Sequence, residues 1–302
     1  MLKQAVFFFF CTFIFHGCSN KNQIQKVGQG KLMVSADESF KPLLEAEKRI
    51  FEAIYNKAEV AVAYKSESEA LNDLFKDSVE VIVIGRDLNG KEKDFFKQKN
   101  FPIVSGKICS DGIAFIVRED FPDSVLKFND LQKIFRGEIR EWSGINKSLP
   151  DLSIQIILDQ SNSSNLQALN NSLTINLQSL NIFAAGSNKA ATEYVRNNKN
   201  ALGIIGSSWI SDWEDAESRQ LLKGLKVLLV QKGDTVSGPY QADLGKFGYP
   251  FSRDIYMITS NKKVGAGTAF VSFVASDRGQ RIVLKSGLLP ATMPGREINI
   301  KQ

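Results

Sequence analysis

The chain has 302 residues, of which 43% are hydrophobic and 24% are charged, and its formal net charge is +5. This length is sufficient for two packed lobes. Lysine and arginine are spread along the chain without the basic stripe that nucleic-acid binding favours, so we expect no nucleic-acid partner.

The N-terminal segment predicts export and lipid attachment. Lys3 precedes an apolar run at residues 5–15, which is the layout of a secretory signal peptide and is too short to cross a bilayer. Gly17-Cys18 lies where a bacterial lipoprotein is cleaved and acylated, so residues 1–17 are predicted to be removed and Cys18 to carry lipid. Residues 18–29 are polar and predict a flexible tether. The alternative is an uncleaved amphiphilic anchor.

Cleavage there limits the chemistry of the mature chain. It removes Cys11 and His16, the only histidine, and leaves Cys109 as the single free thiol. Catalytic sites of the Ser-His-Asp or Cys-His type and histidine-containing zinc sites are then excluded. Carboxylates could still perform acid–base work or bind a hard cation, but we expect no catalysis, metal or cofactor. We interpret Cys109 as a small buried residue.

From residue 30 onward, strand-like and helix-like segments alternate, which predicts an α/β fold. Apolar strands are predicted at residues 31–35, 60–64, 79–84, 113–117, 154–158, 225–230 and 255–259. Helices are predicted at residues 42–55 and 71–75, from residue 131 to a stop at Gly137, and as one helix from residue 270 to Gly287. No proline-rich linker divides the chain, so short strands are expected to join two lobes around a ligand cleft.

Three junctions between a strand and a helix are rich in small hydroxyl residues. They lie at residues 35–42, 65–68 and 158–165. The free N–H groups and partial positive charge of a helix N-terminus can hold an anion. Convergence of such junctions predicts one anion site. The alternative is that these serine and asparagine residues only cap helices and form turns.

Several blocks resemble the phosphate-type substrate-binding proteins of ABC importers and follow one another in that family's order. The blocks are residues 107–142 with Ser110-Asp111-Gly112 and Phe135-Arg136-Gly137, residues 200–206, Tyr249-Pro250-Phe251-Ser252-Arg253, residues 273–280 and residues 287–290. The resemblance implies a two-lobed α/β fold of the type 2 periplasmic-binding-protein class. Lobe 1 is predicted at residues 30–113 and 246–302, and lobe 2 at residues 114–245. We interpret the blocks themselves as structural.

The resemblance also implies which residues face the ligand: Ser39, the Phe40 backbone, Ser66 or Ser68, Ser163, Ser164 and Asn165. Two departures concern charge, because the family has arginine in place of Asp159 and often aspartate in place of Arg86. We hypothesise that these roles are exchanged, with Arg86 neutralising the anion and Asp159 accepting the proton of hydrogen phosphate. The alternative is that Arg86 and Asp159 pair with each other or face solvent.

The sequence therefore predicts an exported, lipid-anchored solute-binding protein on the periplasmic side or the outer surface of the cell envelope. It would act as a monomer, capture inorganic phosphate or a similar oxyanion, and present it to an ABC permease in the membrane. A binding or sensor lipoprotein without a transport role is the main alternative, and a hydrolase on the same fold is a further one.

Overall fold

The fold is taken from a computed structural model that describes residues 27–162, 164–260 and 265–295. The predicted signal peptide, the lipidation at Cys18 and the ligand residue Ser163 lie outside these residues. None of the helices in the described ranges is long and apolar enough to span a membrane.

The strands are β1 Gln29–Asp37, β2 Lys57–Lys65, β3 Val81–Ile84, β4 Ile103–Arg118, β5 Val125–Lys127, β6 Gln155–Leu158, β7 Ile182–Ala184, β8 Ala201–Gly206, β9 Leu225–Lys232, β10 Thr235–Ser237, β11 Ser252–Ser260 and β12 Leu289–Pro290. The α-helices are α1 Lys41–Ile54, α2 Glu67–Phe75, α3 Gly90–Gln98, α4 Phe128–Arg136, α5 Ser164–Ser172, α6 Asn188–Asn197, α7 Ala216–Leu222, α8 Ala266–Ala275 and α9 Asp277–Lys285. Short 3-10 helices lie at Glu38–Phe40, Trp142–Gly144, Leu177–Ser179 and Ser207–Trp209.

One long strand belongs to both halves of the molecule. The first half of β4 pairs antiparallel with β11, beyond which β3, β1 and β2 follow, the last three mutually parallel. The second half of β4 pairs antiparallel with β8 and β9, and β8 continues through parallel β6 to β7. The sheet thus curls from one half into the other through β4, and we call the half with β11, β3, β1 and β2 lobe 1 and the half with β8, β6 and β7 lobe 2.

Helices cover both faces of each half of the sheet, as the alternation of side chains along a strand requires. In β3, Val81 and Val83 pack into the core beneath α1 and α8, whereas Ile82 and Ile84 pack into the core beneath α2 and α3. This accounts for the continuous apolar sequence of β3. The α/β class predicted from the sequence is confirmed.

The predicted helix from residue 270 to Gly287 is wrong, because two helices occupy this stretch. Ser276 interrupts it in an extended conformation, with φ −73° and ψ 165°. Its side chain accepts a hydrogen bond from the Gly279 N–H and so caps α9. The predicted stop of α4 at Gly137 is confirmed, since this residue has the left-handed φ of 77°.

The carboxyl ends of the parallel strands meet between the two lobes. β1 ends at Asp37 and β3 is followed by Gly85 in lobe 1, and β6 ends just before Asp159 in lobe 2. In open α/β sheets, ligands bind beyond these strand ends. The loops there form the candidate site.

Candidate functional site

The two lobes touch directly at the centre of the cleft. The Ser39 hydroxyl of lobe 1 donates to the Asp159 carboxylate of lobe 2 over 3.4 Å. The Ser208 hydroxyl of lobe 2 donates to the Ser39 carbonyl. All three side chains are buried, so the cleft is closed at this point.

Two carboxylates of lobe 1 accept hydrogen bonds from helix N-termini of lobe 2. Asp37 accepts from the Ser164 N–H, the first of α5, over 3.2 Å. Glu38 accepts from the backbone N–H of Asn188, the first of α6, over 3.2 Å, and also from the Asn188 side-chain amide. Carboxylates are favourable at helix N-termini because of the exposed N–H groups and the helix dipole. These contacts therefore hold the lobes together.

A buried arginine lies beside these contacts. Arg253 donates to both oxygens of Asp111, at 2.7 and 3.1 Å, and to the Ser164 hydroxyl at 2.7 Å. Its guanidinium also lies over the Phe40 ring, 4.8 Å from the ring centre. Burial raises the pKa of the Asp111 carboxyl, and the arginine opposes that rise. Arg253 thereby links β4, β11 and the N-terminus of α5.

An asparagine pair lines the lobe 2 side of the site. The Asn188 side-chain oxygen accepts from the Gly206 N–H at 2.9 Å and from the Asn165 amide at 3.4 Å. The Asn165 side-chain oxygen is fully buried and has no hydrogen-bond partner among the described residues. Nearly all buried polar atoms in proteins have a hydrogen-bond partner, so this oxygen is a position where a donor group of a ligand can bind.

Two glycines allow the close approach of the lobes. A Cβ atom on Gly206 would lie 3.2 Å from the Ser39 Cβ and 3.3 Å from the Ser39 carbonyl oxygen. A Cβ atom on Gly85 would lie 3.0 Å from the Ser164 Cβ. Both contacts are tighter than an ordinary van der Waals contact, so side chains here would wedge the cleft apart.

A polar cavity of about 420 Å³ adjoins the closed centre, and we call it the polar chamber. Its lining includes Arg86, Arg253 and Glu67 from lobe 1 and Ser164 and Asn171 from α5. A larger cavity, of about 500 Å³, lies between α1 and α7, away from the Arg253 side of the cleft. Of the predicted ligand residues that the structure describes, Arg86 and Ser164 line the polar chamber.

The acidic groups outnumber the basic ones at the centre of the cleft. Asp37, Glu38 and Asp159 lie together there, while Arg253 is shared with Asp111. Burial raises the pKa of Glu38 to about 7; the Asn188 hydrogen bonds oppose this rise, and the nearby charges of Asp159 and Asp37 add to it. The described residues contain no group of three or more His, Cys, Asp or Glu placed to hold a metal ion.

The structure brings only part of the predicted site together. Ser39, Asp159, Ser164 and Asn165 meet at the cleft centre. For Phe40 the prediction concerned the backbone, which stays a prediction; its side chain is buried in the lobe 1 core.

The second-strand serines and Arg86 have other partners. Ser66 caps α2 in a reciprocal pair with Glu69, and the exposed Ser68 lies 3.3 Å from the Ser66 hydroxyl. Arg86 lines the polar chamber but donates to Glu67 at 2.9 Å and to both oxygens of Glu92 at 2.8 and 2.9 Å. Its guanidinium is thus already neutralised by two carboxylates.

Sequence reasoning missed the residues that join the lobes. Asp37 and Glu38 lie in the first junction, directly before the predicted Ser39, and their acidity gave no reason to place them at an anion site. Asn188 follows Ser187, whose side chain caps α6, so a strand-to-helix junction after β7 was the available signal. Arg253 was assigned to a structural block.

Comparison with known proteins places this geometry in a family. A sequence model of the PBP superfamily domain matches residues 22–278. The phosphate-binding protein PstS of Borreliella burgdorferi is 22% identical over 299 residues, covering 95% of this chain and 99% of that protein.

Solved structures show the same fold. A Clostridium perfringens protein, described as a phosphate ABC transporter substrate-binding protein and solved with bound phosphate, has a TM-score of 0.74 at 21% identity. The match covers 87% of this chain and all of that one. A phosphate transport receptor from Vibrio cholerae has a TM-score of 0.63 at 16% identity, over 86% of this chain and all of that one. The predicted two-lobed fold with a cleft between the lobes is confirmed.

Proposed function

Since this chain belongs to the PBP superfamily, we propose that it is an extracytoplasmic solute-binding protein that captures phosphate or a similar oxyanion for an ABC importer. The observation that carries this proposal is the convergence of the α5 and α6 N-termini on the Asp37–Phe40 turn, beside buried Arg253. Hydrogen-bond donors from two lobes then meet at one point. Relatives with PstS in their names, and a phosphate-bound neighbour of the same fold, support phosphate as the first ligand to test.

The donor groups suit a tetrahedral anion once the cleft opens. The N–H groups of Ser164 and Asn188 and the hydroxyls of Ser39 and Ser164 are aimed at the interlobe surface. Hydrogen bonds to an ionised acceptor are shorter and stronger than neutral ones. Asp159 would accept the proton of hydrogen phosphate, which gives the site a reason to discriminate against sulfate. Binding needs no cofactor.

The proposal also covers how the protein is attached to the membrane and how it reaches a permease. Lipidation at Cys18 would hold the monomer at the membrane, on the periplasmic side or the outer surface, and the tether of residues 18–29 would let it reach a permease. Two acyl chains suffice for stable attachment. The chain would pass between lobes 1 and 2 at residues 113–114, within β4, and at residues 245–246, before β11, and the lobes would rotate about these two places.

Ligand-dependent melting tests the function. We expect phosphate to raise the melting temperature of protein purified in detergent and stripped of ligand. At a hundredfold excess over the dissociation constant a ligand stabilises by about 2.7 kcal/mol, or about 5–10 °C for a chain of this size. Sulfate, arsenate, molybdate and phosphonates complete the panel, and the absence of any shift would favour a binding module without this ligand class.

A variant pair sharpens the test. Asp159→Asn should keep phosphate binding but let sulfate compete, because the amide no longer repels a fully ionised anion. Glu193→Gln, on the exposed face of α6, is the matched control and should leave selectivity as in the wild type. If Asp159→Asn is as selective as the wild type, Asp159 does not accept a hydrogen bond from the proton of hydrogen phosphate.

A further inference from the structure

The donors assigned to the oxyanion are occupied by the protein's own carboxylates. The first N–H of α5 points to Asp37 and the first N–H of α6 points to Glu38, each over 3.2 Å. Both carboxylates are at least nine-tenths buried, with exposed fractions of 1% and 9%. Both come from lobe 1, and both helices belong to lobe 2.

A carboxylate offers a helix N-terminus the same chemistry that a phosphate or sulfate oxygen offers. It carries negative charge and accepts hydrogen bonds from the free N–H groups. One N–H cannot serve two acceptors at full strength, so an external anion and these carboxylates compete for the same donors. Asp159 adds a third acidic group at the same place, in contact with Ser39 and Asn188.

We propose that Asp37 and Glu38 are internal competitors of the oxyanion, which close the unloaded cleft and set the affinity and selectivity of loading. This inference rests on the proposed function. For an anion to enter, the two carboxylates must withdraw from α5 and α6. The polar chamber, about 420 Å³ in volume, is lined by Ser164, whose N–H donates to Asp37, and by Arg253, so an anion would approach the site from there.

The competition lowers the apparent affinity for the oxyanion, and this loss grows as the self-closed state becomes more stable. A protein whose binding-competent state is only fractionally populated binds more weakly by that fraction. The Ser208–Ser39 hydrogen bond and the tight packing at Gly206 belong to the same closed arrangement. Closure with and without ligand would then use the same donors on α5 and α6 but different acceptors.

Neutral isosteres test the inference. Glu38→Gln keeps an acceptor oxygen for Asn188 but loses the charge, and Asp37→Asn does the same at α5. We expect each variant to bind phosphate at least tenfold more tightly than the wild type by isothermal titration calorimetry. Glu193→Gln should bind as the wild type does. Unchanged or weaker phosphate binding by Glu38→Gln and Asp37→Asn, with wild-type melting temperatures, would overturn the inference.

A distance measurement tests self-closure without any ligand. Spin labels at Lys97→Cys on α3 and Lys147→Cys in lobe 2 report the separation of the lobes, since both sites are exposed and Cys109 is buried. In phosphate-free buffer we expect one short distance, which lengthens when Asp37 and Glu38 are both replaced by alanine. An unchanged distance in that double variant would refute self-closure.

The two readouts separate this inference from the proposed function. If no variant binds any oxyanion, the function is wrong, and the distances still decide whether the carboxylates close the cleft. If wild type and variants all bind phosphate equally, the function stands and the internal competition is wrong.

Discussion

Buried acids occur in two regions of the molecule, and their surroundings differ. In the cleft, Asp37 and Glu38 receive N–H groups from helices of the opposite lobe. On α1, Glu47 is fully buried on the face that also carries Leu43 and Phe51. Neither of its carboxylate oxygens has a hydrogen-bond partner among the described residues. Burial alone therefore does not distinguish the two regions; the hydrogen-bond donors that converge on Asp37 and Glu38 do.

Breaking the buried ion pair between Asp111 and Arg253 should give the largest change in stability. Arg253→Met leaves the fully buried Asp111 carboxylate without its cation, which typically costs about 3–5 kcal/mol. We expect this loss in the free energy of unfolding measured with urea. Adding Asp111→Leu to Arg253→Met should restore most of it, because both charges are then gone.

The matched control for that experiment is Arg118→Met. Arg118 pairs with Asp120 at the surface, where ion pairs contribute little. A loss as large as that of Arg253→Met would show that the burial of the Asp111–Arg253 pair is not what makes it important.

Glu47 should give an effect of opposite sign. Burial raises the pKa of Glu47 from 4.5 to about 9. The folded state then holds a proton that the unfolded state loses above pH 4.5, so the free energy of unfolding falls as pH rises from 4.5 to 9. At pH 7 this amounts to about 3 kcal/mol.

Replacing the acid tests that assignment. Glu47→Leu should be more stable than the wild type at pH 7 and should flatten the pH dependence of urea unfolding between pH 4.5 and 9. Glu45→Gln, exposed on the same helix, should leave the slope intact. A slope that persists in Glu47→Leu would trace the pH dependence to another group.

Glu38 should give the smallest but most informative effect. Its pKa of about 7 means that it gains negative charge as pH rises through 7, next to Asp37, Asp159 and the Asn188 amide, with Tyr64 of β2 near enough to sense its charge. Sulfate keeps its charge over this range. Its affinity should therefore fall several-fold between pH 6 and 8 in the wild type and stay constant in Glu38→Gln. A parallel fall in both proteins would exclude Glu38 as the titrating group.

Much of the fold follows from patterns within the chain. Strand β3 reads as four apolar residues because both of its faces are covered, and Gly137 ends α4 because it adopts a left-handed conformation. The helix division at Ser276 was missed, since apolar spacing continues across it and only the capping hydrogen bond reveals the break.

The site was less accessible to sequence reasoning than the fold. Junction chemistry pointed to Ser39, Ser164 and Asn165, which meet in the cleft. It could not reveal that Glu38 reaches Asn188, 150 residues away, because that contact depends on how the lobes pack. Arg86 is the opposite case. Its charge suggested a contact with the ligand, but in the structure its guanidinium pairs with Glu67 and Glu92.

The long strand β4 has a mechanical consequence. It pairs with β11 over residues 103–112 and with β8 and β9 over residues 113–118, and the register with β11 shifts next to Ile108. At Gly112, where one set of partners gives way to the other, a Cβ atom would lie 2.9 Å from Pro239. Gly112 is thus packed too closely against Pro239 to be replaced by a residue with a side chain unless the neighbouring chain moves. Because each half of β4 is held by its own set of hydrogen-bonded partners, any relative movement of the two lobes must bend or twist the strand at this crossover.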